Sequence, residues 1–176
     1  MKAISQNYLK KRLDYDPSTG EFTWKHDSRQ RRTWNTRYAG KPAGTTPEGV
    51  WQTTYTGIRL DKVRYLAHRL AWLYVYGVYP SDDLVIDHIN GVGTDNRISN
   101  LRLVTPSQSN RNLPKPRTNK SGVAGVHFDK RRKKWMAHIR TEVKFANLGR
   151  FDDYFEAVCK RKSAELNLGY HANHGR

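Results

Sequence analysis

The sequence predicts an α+β protein, and three groups of short elements carry that prediction. The first 80 residues contain signals for helices and short strands, the next segment follows a strand–loop–strand–helix order, and the last one has three strands followed by one helix. We therefore expect an N-terminal α+β region, a central core, a basic linker and a C-terminal domain of a three-stranded sheet plus helix. The predicted bounds of these four parts are 1–80, 81–113, 114–120 and 121–176.

The composition favours a nucleic-acid partner. The chain carries 32 Lys and Arg against 16 Asp and Glu, a formal net charge of +16 over 176 residues. Such a surface concentrates polyanions, and an anionic membrane is the weaker alternative. The single cysteine, Cys159, excludes an internal disulfide and a cysteine-rich zinc site and fits a reducing compartment. Since no signal segment or transmembrane stretch is visible, we expect a soluble intracellular protein with no membrane partner.

The first predicted helix begins after Ser5, a good N-cap residue, and carries apolar side chains on one side. We expect the helix to end near the turn-forming residues 16–20. Residues 21–24 then alternate polar and apolar side chains, which predicts a short strand.

A polar and basic stretch without hydrophobic periodicity covers residues 26–37 and predicts a loop. Charge runs of this kind usually face water, and the alternative is an arm that contacts the phosphates of a nucleic acid. The second interpretation is slightly favoured. Its candidate DNA contacts are Arg29, Arg31 and Arg32.

Residues 50–60 are rich in threonine and aromatic side chains, which predicts a strand that residues 61–62 can close into a hairpin. A strongly helical run follows over 66–74 and should end at Gly77. His68 lies on this helix, where we expect it to form a structural hydrogen bond rather than to act in catalysis.

The central segment places an Asp-His pair at the end of an apolar strand, followed by an Asn-Gly turn. Asp87 offers the hard oxygen ligand that Mg²⁺ prefers, and a neutral His88 can take a proton from an attacking water at physiological pH. Asn100 begins a second strand, where its carboxamide can orient the histidine or complete the metal shell. With a short helix after Pro106, these groups should converge on one point, an arrangement that suits hydrolysis of a phosphodiester bond.

These motifs closely resemble the HNH nucleases found among bacteriophage homing endonucleases. The residues that carry the resemblance are 14–20, 65–72, 87–91, 95–102, 105–108 and 110–112. It implies a ββα-metal core with a divalent cofactor, Mg²⁺ or another ion such as Mn²⁺. It also implies that Asp87 binds the metal, that His88 is the general base and that Asn100 orients this base by bracing its loop.

The third residue of the family's metal site is a His or Asn on the helix, and the expected position here holds Ser109, with Asn110 directly after it. Neighbouring helical residues point about 100° apart. Two arrangements remain open: a shifted helix register with Asn110 as the metal ligand, which we favour, or a weaker site completed by Ser109 or water. The serine also supports a second interpretation, a non-catalytic DNA-binding protein or regulator with an inactive HNH core.

The linker 114–120 is kept extended by two prolines, and its basic residues suit a phosphate backbone. These candidate contacts are Lys115, Arg117 and Lys120. Beyond the linker we predict strands over 122–128, 135–140 and 145–151 and a helix over 154–168.

Period-two alternation turns Trp135, Ala137 and Ile139 towards the helix and leaves an outward sheet face. That face either is solvated or lies in a DNA groove. In the second case its contacts would be His127, His138, Arg140 and Asn147, and a basic turn would add phosphate contacts at Arg131, Arg132 and Lys133. Through residues 121–122, 125–126, 135–140 and 148–151, this segment resembles the three-stranded, APETALA-type DNA-binding domain of plant ethylene-response factors, which also follows HNH cores in phage endonucleases.

The two resemblances together imply a metal-dependent endonuclease of double-stranded DNA with separate cutting and binding parts. One active site per chain should nick one strand per encounter as a monomer on DNA, and a double-strand break would need a dimer or a second event. RNA binding ranks lower because no stacking-aromatic RNA module is visible. A phage-encoded protein of this type would act in the cytoplasm of the host cell.

Overall fold

The computed structural model describes residues 3–46, 55–141 and 143–175. Within them the chain forms five α-helices and nine strands, and the strands pair into four small antiparallel sheets. This content is compatible with the predicted α+β class. The chain divides into two compact units, 1–104 and 105–176. The division falls between the second strand and the helix of the predicted core, and the four-part division stays a prediction.

The first unit begins with a capped helix and a hairpin. α1 (Gln6–Arg12) starts after Ser5, whose hydroxyl oxygen accepts a hydrogen bond from an amide of the first turn at 3.2 Å. The helix ends earlier than expected, because the next residue is already extended and starts β1 (Leu13–Tyr15). β1 pairs with β2 (Phe22–Trp24), the strand that the sequence predicted. Residues 16–20 therefore close a hairpin instead of ending a helix.

The basic stretch over residues 26–37 is not wholly a loop, which corrects the prediction. α2 (Arg32–Tyr38) forms in its second half. No residue of this helix is buried, so the apolar periodicity that marks most helices is missing from the sequence. The half-buried Trp34 packs edge-on against Trp24 of β2, with ring centroids 5.4 Å apart.

A second hairpin leads into the longest helix of this unit. β3 (Gly57–Leu60) pairs with β4 (Val63–Leu66), and the two residues between them adopt left-handed φ angles of 47° and 69°, so the predicted hairpin is confirmed. The start of the predicted strand, residues 50–54, lies outside the described residues. α3 (Ala67–Tyr76) ends at Gly77 with a φ of 80°, as predicted.

The last hairpin of the first unit carries the residues of chemical interest. β5 (Val85–His88) pairs with β6 (Leu101–Val104), and the loop between them ends in a 3₁₀ turn (Ile98–Asn100). Its strands join the main core through the partly buried Ile86 and the buried Leu101. The other buried members of that core are Leu9, Leu13, Tyr15, Phe22, Ala43, Ile58, Leu60, Tyr65, Ala67, Leu70, Ala71 and Leu73.

The second unit begins with the helix predicted after the second strand. α4 (Pro106–Asn110) is capped by Thr105, whose side chain accepts from the Gln108 amide while the Gln108 side chain accepts from the Thr105 amide. The residues of the predicted linker lie outside helices and strands. None of the helices in the described ranges has the length and apolar character of a membrane span.

Three strands and a helix complete the second unit. β7 (Val126–Asp129), β8 (Lys134–Arg140) and β9 (Phe145–Phe151) pair in that order, and α5 (Tyr154–Asn167) packs on the sheet. Ala137 and Ile139 of β8 are buried, which confirms the predicted alternation. β7 begins four residues later than predicted, because glycines turn the preceding chain.

The two glycines before β7 offer a matched test of the packing. Gly122 and Gly125 have φ angles of 83° and 77°, but a Cβ on Gly125 would lie 2.5 Å from the His138 carbonyl oxygen, whereas the nearest atom at Gly122 is 3.8 Å away. Gly122→Ala should cost roughly 1–2 kcal/mol for the left-handed backbone alone. Gly125→Ala should lower the free energy of unfolding by about 1–3 kcal/mol more through overpacking, measured by urea unfolding. Equal losses for the two variants would contradict this packing.

Candidate active site

Asp87 and His88 are both buried at the end of β5. Asp87 stands opposite Arg102 in the β5–β6 pairing, and His88 stands opposite Leu101. Since neighbouring residues of a strand point to opposite faces, the carboxylate and the imidazole leave the hairpin in different directions. They remain coupled by charge, because the Asp87 carboxylate acts to raise the pKa of His88.

The Asp87 carboxylate forms an ion pair with Arg102 across the hairpin. The Nε and Nη2 atoms of Arg102 both donate to Oδ2 of Asp87, at 3.0 and 2.9 Å. The arginine side chain is about one-third exposed, whereas the aspartate side chain is 9% exposed. Arg102 therefore fixes one carboxylate oxygen, and sequence reasoning missed this role, although opposite charges at facing strand positions are the signal that would have found it.

His88 is oriented by an asparagine that sequence reasoning did not select. Its Nε2 lies 3.2 Å from Oδ1 of Asn96, and both residues are buried. When Nε2–H donates to this oxygen, the neutral ring keeps its lone pair on Nδ1. Burial lowers the pKa of His88, and the Asn96 contact and the Asp87 charge oppose that shift. The ring is therefore a neutral base at physiological pH.

Asn100, the predicted orienting residue, braces the loop between the two strands. Its Oδ1 accepts from the Asn90 amide at 3.0 Å, and its Nδ2 donates to Oδ1 of Asn90 at 3.0 Å and to the Asp95 carbonyl at 2.8 Å. The contacts described for Asn100 go to the loop, and the direct hydrogen bond to His88 comes from Asn96. The predicted catalytic role of Asn100 stays a prediction.

The same loop is held from outside by the β1–β2 hairpin. The Tyr15 hydroxyl donates to the Asn96 carbonyl at 2.7 Å, and the Ile98 amide donates to the Pro17 carbonyl at 3.2 Å. Gly20 fits against this loop so closely that a Cβ would lie 2.4 Å from the Arg97 nitrogen. The position of Asn96, which contacts His88, therefore depends on contacts from the first 20 residues.

His68 packs against the candidate base, which corrects the expectation of a structural hydrogen bond. The rings of His68 and His88 meet edge to face with centroids 5.1 Å apart, and Tyr55 lies 5.0 Å from His68. Its buried Nδ1 has no hydrogen-bond partner among the described residues. Burial, together with the nearby His88 and Arg69, lowers the pKa of His68 to about 3. His68 is therefore a neutral ring that packs against His88.

The predicted third metal ligand belongs to the second unit. Ser109 is half-buried, and Asn110, the last residue of α4, is exposed. No group of three His, Cys, Asp or Glu side chains that could hold a metal ion occurs in 3–46, 55–141 or 143–175. Sites of Mg²⁺ use few protein ligands and keep several waters, so a single carboxylate such as that of Asp87 suits this ion without such a group. The ligand roles of Asp87 and Asn110 stay predictions.

Nine of the predicted DNA contacts lie in three exposed places. Arg29, Arg31 and Arg32 lie at α2 and before it; Lys115, Arg117 and Lys120 lie between α4 and β7; and Arg131, Arg132 and Lys133 lie in the β7–β8 turn. Two of these arginines are engaged with aspartates: Arg29 pairs with Asp27 and Arg132 with Asp129.

The four predicted sheet residues share the outward face of the three-stranded sheet. His138 stands opposite Asn147 across β8 and β9, and its ring lies 5.4 Å from that of His127 on β7. Arg140 follows His138 by two positions and is exposed, as are His127 and Asn147. The exposed Phe145 stacks on His138 with ring centroids 4.8 Å apart, and the sequence analysis did not select it.

The candidate site lies in a segment with known relatives. A family model described as HNH endonuclease matches residues 65–111. The chain is also similar to Protein 3.8 of Escherichia phage T7, with 33% identity over 91 residues, which is 52% of this chain and 74% of the phage protein. No solved structure matches the chain. The matched segment 65–111 contains His68, Asp87, His88, Asn96, Asn100 and Arg102.

The neutral His68 should make the first unit sensitive to acid. The unfolded histidine takes up a proton below pH 6.5, whereas the folded one stays neutral down to about pH 3. Because the unfolded state binds more protons in this range, the free energy of unfolding should fall as the pH is lowered from 6.5 towards 3. His68→Gln should weaken that dependence, measured by urea unfolding at pH 7 and 5. The exposed His26→Gln is the control, and equal slopes for His68→Gln and the parent would contradict the assignment.

Proposed function

Because the chain belongs to the HNH endonuclease family, we propose that it cuts double-stranded DNA by metal-dependent hydrolysis of a phosphodiester bond. One observation carries the proposal: a buried, neutral histidine is hydrogen-bonded at Nε2 and directly follows an aspartate. A homing-endonuclease type of organisation, with a cutting core and separate DNA-binding surfaces, is part of the same proposal.

His88 is the proposed general base. Its Nδ1 takes a proton from a water molecule, the water oxygen bonds to phosphorus, and the bond from phosphorus to the 3′ oxygen breaks. Asn96 contributes by accepting the Nε2–H, which fixes the tautomer and keeps the lone pair on Nδ1. His68 and Tyr55 exclude water from the ring and hold its plane.

Asp87 is the proposed ligand of a divalent metal, and Asn110 is the proposed second protein ligand. A metal bound there would supply positive charge to stabilise the pentavalent transition state and the leaving 3′ oxygen. Arg102 keeps one oxygen of Asp87 engaged and adds positive charge beside the carboxylate, which suits a site that receives a phosphate.

The outward sheet face and the basic loops are the proposed DNA-binding surfaces. Arg140 and the basic β7–β8 turn suit phosphates, and His138 and Asn147 suit groove contacts. A formal charge of +16 supports binding to a polyanion but gives no sequence specificity by itself. An ethylene-response-factor type of domain remains our proposal for this part.

Removal of the proposed base should abolish cleavage and spare binding. His88→Ala should lower Mg²⁺-dependent conversion of supercoiled plasmid to open circles by about 10²- to 10⁴-fold, because the proton acceptor is gone. Gel-shift affinity should not change, and the exposed His26→Ala should cut like the parent protein. If the parent protein binds duplex DNA but does not cut it in the presence of any divalent metal, the alternative is favoured, a DNA-binding protein with an inactive core.

The Asn96 contact predicts a graded pair of variants. Asn96→Ala removes the oxygen that accepts from His88 Nε2 and should lower kcat with little change in KM. Asn96→Asp keeps an accepting oxygen and should retain more activity, but its negative charge should raise the pKa of His88. The acid limb of the pH–rate profile should therefore move to higher pH. Equal kcat values and unshifted profiles for both variants would remove Asn96 from the mechanism.

A further inference from the structure

The face of α2 that points away from the rest of the first unit combines arginines and threonines. Arg32, Thr33, Thr36 and Arg37 are exposed, and helical periodicity places them on one arc of about 140°. The opposite arc carries Trp34 and Asn35, which are half-buried. No acidic residue occurs between positions 28 and 46.

The inner side of α2 is anchored by a specific network. Asn35 accepts from the Asp27 amide and donates to the Asp27 carbonyl, both at 2.9 Å. The buried Asp27 carboxylate pairs in turn with the buried Arg12 of α1 at 3.1 Å. Trp34 packs on Trp24 and on Tyr38. These contacts of Asn35 and Trp34 therefore hold α2 in place, with its exposed face turned outward.

The first turn of α2 lacks the capping and acidic side chains that usually stabilise the start of a helix. Arg31 stands at the N-cap without a side-chain capping bond, Arg32 follows it, and no acidic residue lies in the first turn. Cations at this end of a helix oppose its dipole. Residues that contradict a local preference tend to serve function. In the described ranges no carboxylate pairs with Arg31, Arg32 or Arg37, so their charges are available to a polyanion.

The side chains of this face suit the major groove. The Thr36 hydroxyl donates to the Arg32 carbonyl at 3.0 Å, and the exposed side chain carries a methyl group that can contact a thymine methyl. The Arg37 guanidinium lies over the Tyr38 ring at 5.4 Å, which limits its motion. The major groove admits an α-helix, and arginine pairs well with guanine there.

We propose that α2 enters the major groove of duplex DNA and reads bases through Arg32, Thr33, Thr36 and Arg37. The inference rests on the proposed function, since it takes DNA as the substrate. It goes beyond that function by assigning sequence recognition to the first unit, at a helix that the sequence did not predict.

Binding selection tests the proposal without requiring cleavage. The full chain is mixed with short duplexes that carry a randomised segment, in EDTA, and the bound fraction is sequenced. The parent protein should select a block of adjacent base pairs. Arg32→Ala should lower the affinity for the selected duplex by about five- to hundred-fold. Both this variant and the double variant Thr33→Ala/Thr36→Ala should lose the base preference at that block.

Two control variants separate base reading from charge and from folding. Lys11→Ala removes an exposed charge from α1 and should keep every base preference. Asn35→Ala removes the anchor and should lose the same block as Arg32→Ala while the chain stays folded by circular dichroism. Unchanged preferences in the Arg32 and Thr33/Thr36 variants, with affinity losses no larger than that of Lys11→Ala, would overturn the proposal.

The outcome is independent of catalysis. If the selected block depends on α2 but the parent protein does not cut the selected duplex in Mg²⁺, the groove assignment stands and the nuclease proposal fails. If the parent protein cuts DNA but selects no block that depends on α2, the groove assignment fails and the nuclease proposal stands.

Discussion

The loop between β5 and β6 depends on side-chain amides that bond to one another inside the protein. Asn100 fastens both Asn90 and the Asp95 backbone, and this closure presents Asn96 to His88. Buried polar networks of this kind are rigid only when every member is satisfied, because a single unpaired amide costs more than one hydrogen bond contributes. The orientation of the His88 imidazole is therefore set by the asparagines of this loop.

The surroundings of His88 also explain why its ring is neutral. His68, Tyr55 and the strand pairing remove water from one side of the ring, which disfavours the charged form. The carboxylate of Asp87 opposes this effect, but Arg102 holds one of its oxygens and competes for its charge. The balance between burial and charge gives a base that is neutral at physiological pH and still responsive to its neighbours.

Sequence reasoning reached the elements with strong local signals and missed the contacts between distant segments. The capping residue Ser5, the helix-ending Gly77 and the alternation of β8 each depend on neighbours in sequence, and each prediction was confirmed. α2 was missed because its stability comes from Trp34 and Asn35 packing on β2 and on the preceding loop, not from an apolar face. The contacts of Asn96 and Arg102 are set by strand register and loop closure, which no window of sequence reports.

The hydroxyl of Tyr15 and the close fit of Gly20 have an evolutionary consequence. The segment that matches HNH endonucleases begins only at residue 65, yet the asparagine that steadies its histidine is propped by a hairpin about 80 positions upstream. A recombination event that transferred the matched segment alone would lose the contacts of Tyr15 and Gly20 with the loop of Asn96. Genetic exchange should therefore preserve the N-terminal hairpin together with the segment that matches HNH endonucleases, as one inherited block.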